Sequence, residues 1–234
     1  MLTILVPVYN EKKYISKIIR KLINLRGIKK QIIIIDDGSS DGTTNILKKN
    51  FLKNNKINKI IFHTHNKGKG AAIKSAQKFI RGKYVVIQDA DLEYSPNDLI
   101  KLYKHIKKIN SEVLYGSRVL GKSKFQNAEN FIHLMRIWAN YFLTTISNLI
   151  NNQNLTDAHT CYKVFNSKLF KKITLSENGF AFCPEVTTKI SNLNINIYEI
   201  PISYKGRTYN EGKKISSLDG LRALYSLIKY KFIG

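Results

Sequence analysis

The stretch Tyr84-Val85-Val86-Ile87-Gln88-Asp89-Ala90-Asp91 closes an apolar run with two carboxylates two residues apart. Side chains alternate along a strand, so Asp89 and Asp91 are expected on one face. At the carboxyl end of a buried strand they would stand where open α/β sheets bind their ligands. Carboxylates converging there can hold Mg²⁺ or Mn²⁺ against a diphosphate. That is the chemistry of a sugar nucleotide.

Three further loops carry groups of the same kind. Pro7-Val8-Tyr9-Asn10-Glu11 turns the chain after an apolar run and leaves a carboxylate near the same edge. In Asp36-Asp37-Gly38-Ser39-Ser40-Asp41 a carboxylate could accept from a base N–H or a ribose hydroxyl. Asn66-Lys67-Gly68-Lys69-Gly70 is a glycine-rich entry to a helix whose amino end favours anions, without the spacing of a Walker loop. Helix capping by Asn10, Ser40 or Asp41 explains parts of these loops equally well when each is taken singly.

The elements that must position these loops alternate. Short apolar runs at 2–7, 31–35, 59–63, 84–88 and 112–115 are separated by helix-like stretches at 13–25, 42–50, 71–80 and 96–109. This rhythm predicts an α/β fold with a central, mostly parallel sheet flanked by helices. It breaks down after about Ser123. The expectation is therefore a single domain over 1–234, with a nucleotide-sugar half (1–122) and an acceptor-side half (123–234).

Composition narrows the class. A chain of 234 residues with 43% hydrophobic and 24% charged residues is globular and long enough for a substantial core. Cys161 and Cys183 lack metal-site spacing and suit a reducing compartment better than a disulfide framework. Residues 2–8 are too short and lack the basic leader of a signal peptide. The most apolar segment, 131–150, is interrupted by His133, Arg136, Asn140 and Asn148, so no spanning helix is expected. The net charge of +23 is spread along the chain without an aromatic RNA-binding signature, so no nucleic-acid partner is expected. Solvated lysine faces, or attraction to an anionic membrane or to phosphate-bearing substrates, account for it.

Taken in order, Pro7–Glu11, Asp36–Ser39, Asn66–Gly70 and Asp89-Ala90-Asp91 resemble the inverting family 2 glycosyltransferases, which have the Rossmann-like GT-A fold. The likeness is closest to the dolichyl-phosphate and undecaprenyl-phosphate sugar transferases. It continues through Gly116-Ser117-Arg118, Asp157, Tyr162-Lys163-Val164-Phe165, Gly179-Phe180 with Glu185, and Pro201-Ile202 leading to Arg207.

The resemblance implies residue roles. Glu11, Asp36 and Asp37 match positions that meet the base and ribose, with Pro7 and Tyr9 shaping the pocket and Lys69 flanking the nucleotide. Asp89 and Asp91 match the metal motif, and Glu93, where the family often has Gln, could complete the coordination of Mg²⁺ or Mn²⁺. Arg118 and Arg136 are candidates for an acceptor phosphate. Arg207, Lys213 and Lys214 are candidates for the donor diphosphate. Asp91, Arg118 and Asp157 form the implied catalytic set, Asp157 and Glu185 being the available general bases if the acceptor is a sugar hydroxyl.

The implied reaction is metal-dependent, inverting transfer from a GDP- or UDP-sugar to a polyprenyl phosphate, by a protein in the cytosol, peripheral at the inner face of the membrane. A lipid phosphate is already largely dianionic at neutral pH and needs no strong base. The alternatives are transfer to a sugar hydroxyl in polysaccharide synthesis and a non-catalytic basic nucleotide- or nucleic-acid-binding protein. Phe131, Leu134, Met135, Trp138, Phe142, Ile146 and Leu149 fall at helical steps, a stripe that suits the core first and a membrane interface second. Leu221, Leu224, Tyr225, Ile228 and Phe232, with basic neighbours, form a second such row. His63 and His65 read as structural, since no third zinc ligand is in view.

Overall fold

Ile32, Ile33, Ile34 and Ile35 show no polar alternation, and all four are buried, as a strand covered on both faces requires. In the computed structural model they lie in β2 (Lys30–Asp36), between β1 (Leu2–Val8) and β3 (Lys59–Phe62). The structure describes residues 1–121, 131–207 and 217–233, with the backbone alone at 131–134, 136 and 217. Further strands are β4 (Tyr84–Ile87), β5 (Val113–Ser117), β6 (Lys163–Asn166) and β7 (Tyr198–Pro201). Among the described residues, one seven-stranded sheet has the order β3-β2-β1-β4-β6-β5-β7. All neighbours pair in parallel except β6, which runs antiparallel to β4 and β5.

Helices α1 (Ile15–Asn24), α2 (Thr43–Asn50), α3 (Lys69–Ala76, extended by a 3₁₀ turn over Gln77–Phe79) and α4 (Asp98–Lys108) connect the first five strands. α1 buries Ile15, Ile18, Ile19 and Leu22, the spacing of a single apolar face. The expected boundaries in this half hold to within about two residues. The later rhythm changes because β6 returns antiparallel into the gap between β4 and β5. Phe165 and Tyr162 thereby join the same core as Ile33 and Val86.

The second half adds α5 (Phe131–Asn151), α6 (Ser167–Lys172), α7 (Phe182–Asn192) and α8 (Ser217–Phe232), with α5, α7 and α8 packed on one another. Here the core reading of the 131–150 stripe is corrected. Met135, Trp138, Phe142 and Leu149 are 54% to 79% exposed, whereas Thr144, Ser147 and Asn151 are buried. The polar side turns inward because backbone and hydroxyl groups there need partners. Asn148 bonds both the carbonyl and the N–H of Leu155, at 2.8 and 2.9 Å, and Asn151 Nδ2 donates to Thr188 Oγ1 at 3.2 Å. On α8, Leu221, Tyr225, Ile228 and Phe232 are likewise exposed, while Ala223, Leu227 and Tyr230 are buried. No helix among the described residues is long and apolar enough to cross a membrane.

Candidate active site

The strand order reverses beside β1, whose neighbours β2 and β4 lead the chain in opposite directions. A crevice at such a switch point is the expected ligand site of an open α/β sheet. Glu11 leaves the carboxyl end of β1, and Asp89, Asp91 and Glu93 follow β4, so four carboxylates reach this one edge.

Arg207 joins them from the far end of the chain. Its Nη1 and Nη2 each donate to a Glu11 oxygen at 3.1 Å, and Nη2 also donates to Asp91 Oδ2 at 3.0 Å. Glu93 accepts from the Arg207 N–H at 2.7 Å and from the Tyr204 hydroxyl at 2.8 Å. Lys69, the first residue of α3, donates to Asp89 Oδ1 at 2.5 Å and lies 3.7 Å from Cys161 Sγ. Burial opposes the Lys69 ammonium, yet Asp89 beside it holds its pKa well above the ordinary lysine range. Burial, then Asp89 and Glu93, push Asp91 up to about 7 against the pull of Arg207.

This corner fits a divalent metal in charge and in ligand type. Four carboxylates stand against two cations among the residues just described, leaving negative charge to be balanced, and hard oxygen donors suit Mg²⁺ or Mn²⁺. Asp89, Asp91 and Glu93, the expected ligand trio, are each engaged with protein partners in this structure, however. No group of three His, Cys, Asp or Glu side chains poised for a metal occurs among the described residues. Each Glu93 oxygen accepts one hydrogen bond, from the Tyr204 hydroxyl and from the Arg207 amide, which latches the 204–207 segment to the end of β4.

The β2 loop departs more clearly from expectation. Asp36 and Asp37 are both buried. Asp36 accepts from Ser39 N–H and from the Thr44 hydroxyl, so it shapes its own turn. Asp37 accepts from the Lys67 and Gly68 amides at 3.0 and 2.8 Å and from His63 Nδ1 at 2.6 Å. In this structure both carboxylates brace the loops at the ends of β2 and β3. Pro7 lies within β1, in register with Ile35, and Pro7 and Tyr9 are half-buried beside Asn10.

Arg118 and Asp157, the residues expected on the acceptor side, are brought together. Arg118 Nε and Nη2 each donate to the carboxylate at 2.7 Å, and the Arg118 N–H adds a third bond at 3.1 Å. Burial would raise the Asp157 pKa, but Arg118 outweighs it and draws the group down to about 2. Both Asp157 oxygens are thus paired with Arg118 in this structure, and the lowered pKa makes the carboxylate a weak base. Glu185, the other expected general base, is likewise engaged, its buried carboxylate accepting the Ser176 and Glu177 amides at 2.6 and 2.9 Å and Lys189 at 2.8 Å. Arg118 Nη1 has no hydrogen-bond partner among the described residues, and the guanidinium lies 5.2 Å from the Tyr204 ring centroid. The Arg136 side chain, Lys213 and Lys214 lie outside the described residues.

Sequence reading missed Tyr204, which touches both the Glu93 latch and Arg118, and Lys163, fully buried with Nζ 2.7 Å from the Ala158 carbonyl oxygen. The Tyr162-Lys163-Val164-Phe165 motif pointed to the latter; no spacing signal marks the former.

Residues 3–174 match the model of glycosyl transferase family 2, and the chain belongs to that family. It is 28% identical to the UDP-N-acetylglucosamine–dolichyl-phosphate N-acetylglucosaminyltransferase of Methanococcus voltae, over 99% of this chain and 96% of that protein. It is 29% identical to the dolichyl-phosphate beta-glucosyltransferase of Saccharomyces cerevisiae, over 97% of this chain and 73% of that one. Among solved structures, glucosyl-3-phosphoglycerate synthase from Mycobacterium tuberculosis, crystallised with Mn²⁺, UDP and glucosyl-3-phosphoglycerate, superposes with a TM-score of 0.70 at 12% identity, over 100% of this chain and 81% of that one. The mannosyltransferase PcManGT of Pyrobaculum calidifontis, in complex with GDP-Man and Mn²⁺, gives 0.58 at 16%, over 86% and 54%. The fold is GT-A, and the protein is a glycosyltransferase.

Proposed function

We propose that this chain moves a sugar, with inversion, from a nucleoside-diphosphate sugar to a polyprenyl phosphate at a membrane surface. The observation that carries the acceptor half is the commitment of both acceptor-side carboxylates. Asp157 is locked by Arg118, and Glu185 is buried under two amides and a lysine. A sugar hydroxyl needs a base to deprotonate it, whereas a phosphate monoester arrives as an anion. Arg118, with Nη1 still available, suits a phosphate oxygen. The relatives named as dolichyl-phosphate transferases support the same choice.

On the donor side, Asp89 and Asp91 would hold Mg²⁺ or Mn²⁺, which neutralises the leaving diphosphate. Arg207 bridges Glu11 and Asp91 across the crevice, and Lys69 stands at the amino end of α3, where anions are favoured. Residues 1–122 thus supply most of the donor side, joined by Arg207 from the second half, and 123–234 supply most of the acceptor side, joined by Arg118 from the first. The exposed apolar rows of α5 and α8, two helices packed together, support seating on a bilayer at its cytoplasmic face.

The test offers a panel of labelled UDP- and GDP-sugars with undecaprenyl or dolichyl phosphate in the presence of Mn²⁺ or Mg²⁺. Label is expected in a chloroform-extractable, mild-acid-labile product. Label found only on a water-soluble glycan would sink the phosphate acceptor.

A further inference from the structure

One hydrogen-bonded chain near the crevice belongs to no role described so far. His63, just past the end of β3, places Nδ1 2.6 Å from Asp37 Oδ1 and Nε2 2.8 Å from Ser75 Oγ in α3. Asp37 in turn accepts the Lys67 and Gly68 amides. Those amides form the turn that delivers Lys69 to Asp89.

The order Ser–His–Asp is that of a hydrolytic triad, and the surroundings rule that role out. The His63 side chain is 7% exposed and the Asp37 side chain 4%. Ser75 lies inside α3 with its hydroxyl also bonded to the Ala71 carbonyl at 3.0 Å. A nucleophile needs room for a substrate, and this hydroxyl is tied back onto its own helix.

What the chain does instead follows from what it touches. Each imidazole nitrogen of His63 has one hydrogen-bond partner, Asp37 on one side and Ser75 on the other. The imidazole is thereby fixed at both ends, to a loop after β2 and to a helix that begins at the crevice. Gly68 has φ +96°, a conformation that costs a residue with a side chain, and a Cβ there would come 2.3 Å from the Asn178 carbonyl oxygen. The turn is pressed from that second side, since the Asn178 carbonyl also accepts the Ala71 N–H at 3.1 Å. The turn keeps its shape through the contacts made to its backbone groups. Asp37 supplies two of those contacts, and His63 holds Asp37.

We propose that Ser75, His63 and Asp37 form a positioning relay that fixes the Lys67–Gly68 turn and so sets Lys69 against Asp89 in the donor crevice. Asp37 then acts on the donor through backbone, which replaces its expected contact with base or ribose. The consequence for donor binding rests on the function proposed above; the consequence for the turn does not.

Two measurements separate these. In the free protein, amide exchange by NMR reads the turn directly. His63→Leu and Ser75→Ala should speed exchange at Lys67 and Gly68 by about tenfold or more while the amides of β1 keep their protection. His63→Asn, whose Nδ2 can still face Asp37, should recover most of that protection. Calorimetry with UDP or GDP and Mn²⁺ then reads the crevice: His63→Leu should weaken binding about tenfold, and His63→Asn by less than about threefold. Should His63→Leu fail to fold, Ser75→Ala carries both arms. Unchanged exchange at Lys67 and Gly68 in Ser75→Ala and His63→Leu would overturn the relay, as would equal losses of binding in His63→Leu and His63→Asn. A wild-type protein that binds neither nucleotide overturns the donor reading alone, and the exchange arm still decides the relay.

Discussion

Arg207 and Glu11, 196 residues apart in the chain, form a two-point ion pair with both N–O distances at 3.1 Å. The same guanidinium reaches Asp91, so one side chain ties the end of β1 to the end of β4. Closing a loop of that length around the crevice is a tertiary act. Arg207 thereby joins the two strand ends that the proposed function assigns to the donor.

Replacing it should be costly to activity. Arg207→Ala is expected to lower kcat/KM for the donor by about a hundredfold, as loss of a preorganised cation beside a leaving anion does. Arg207→Lys keeps the charge without the fork and should recover only part of that loss. Initial rates at varied donor concentration, with circular dichroism to show that both variants are folded, check this. A loss in the lysine variant below about twofold would contradict the bidentate role.

Arg118 and Asp157 make a stability prediction. Arg118→Ala strands a fully buried carboxylate and should cost about 3–5 kcal/mol, or a melting temperature lower by roughly 10 °C. The double variant Arg118→Ala with Asp157→Asn removes the stranded charge and should regain a large part of it. Thermal melts of the single and double variants decide the matter. A single variant that melts with the wild type would show that the pair contributes little.

Acid should destabilise the protein in two stages. Burial, with Lys163 nearby, lowers the His159 pKa to about 4, below the ordinary 6.5. The unfolded chain then binds the proton first, so stability falls as pH drops from about 6.5 towards 4. Asp157, held near 2, adds stability that is present above about 3.8 and is lost as pH falls through 2. Asp91, raised to about 7, acts in the opposite sense over the same range, so urea melts across pH 7 to 4 read the His159 stage as the difference in slope between the wild type and His159→Gln. An identical slope in the two proteins would assign that stage to other groups.

Trp138 on α5 and Tyr225 on α8 are 54% and 66% exposed, so changing them should spare the fold and test the membrane reading. Trp138→Glu with Tyr225→Glu is expected to reduce partitioning onto anionic vesicles by about a hundredfold, from the apolar area no longer buried at the interface. Sedimentation with vesicles measures it, and the melting temperature should stay within about 2 °C because surface changes are nearly neutral. Equal sedimentation of both proteins would remove the bilayer from the proposal.

Legibility followed the range of the forces involved. The runs at Ile32–Ile35 and Tyr84–Ile87 announce buried strands because burial on both faces demands unbroken apolar sequence. Ile15, Ile18, Ile19 and Leu22 announce a helix by spacing alone. In α5 the same spacing argument failed, because periodicity identifies an apolar face without saying whether protein covers it. Asn151 turned inward to the Thr188 hydroxyl of α7, and the buried Ser147 hydroxyl accepts from Asn151 on its own helix.

The carboxylates divide along the same line. That Asp89, Asp91 and Glu11 would stand at the carboxyl ends of neighbouring strands was determined by local sequence, since strand ends, turns and helix starts are short-range features. What each carboxylate does was decided by partners brought from afar: Arg207 for Glu11, Tyr204 for Glu93, Arg118 for Asp157 and His63 for Asp37. A side chain's charge, burial and free lone pairs depend on what packs against it. Sequence spacing places an oxygen at an edge, and only the folded chain determines whether that oxygen meets a ligand or another part of the protein.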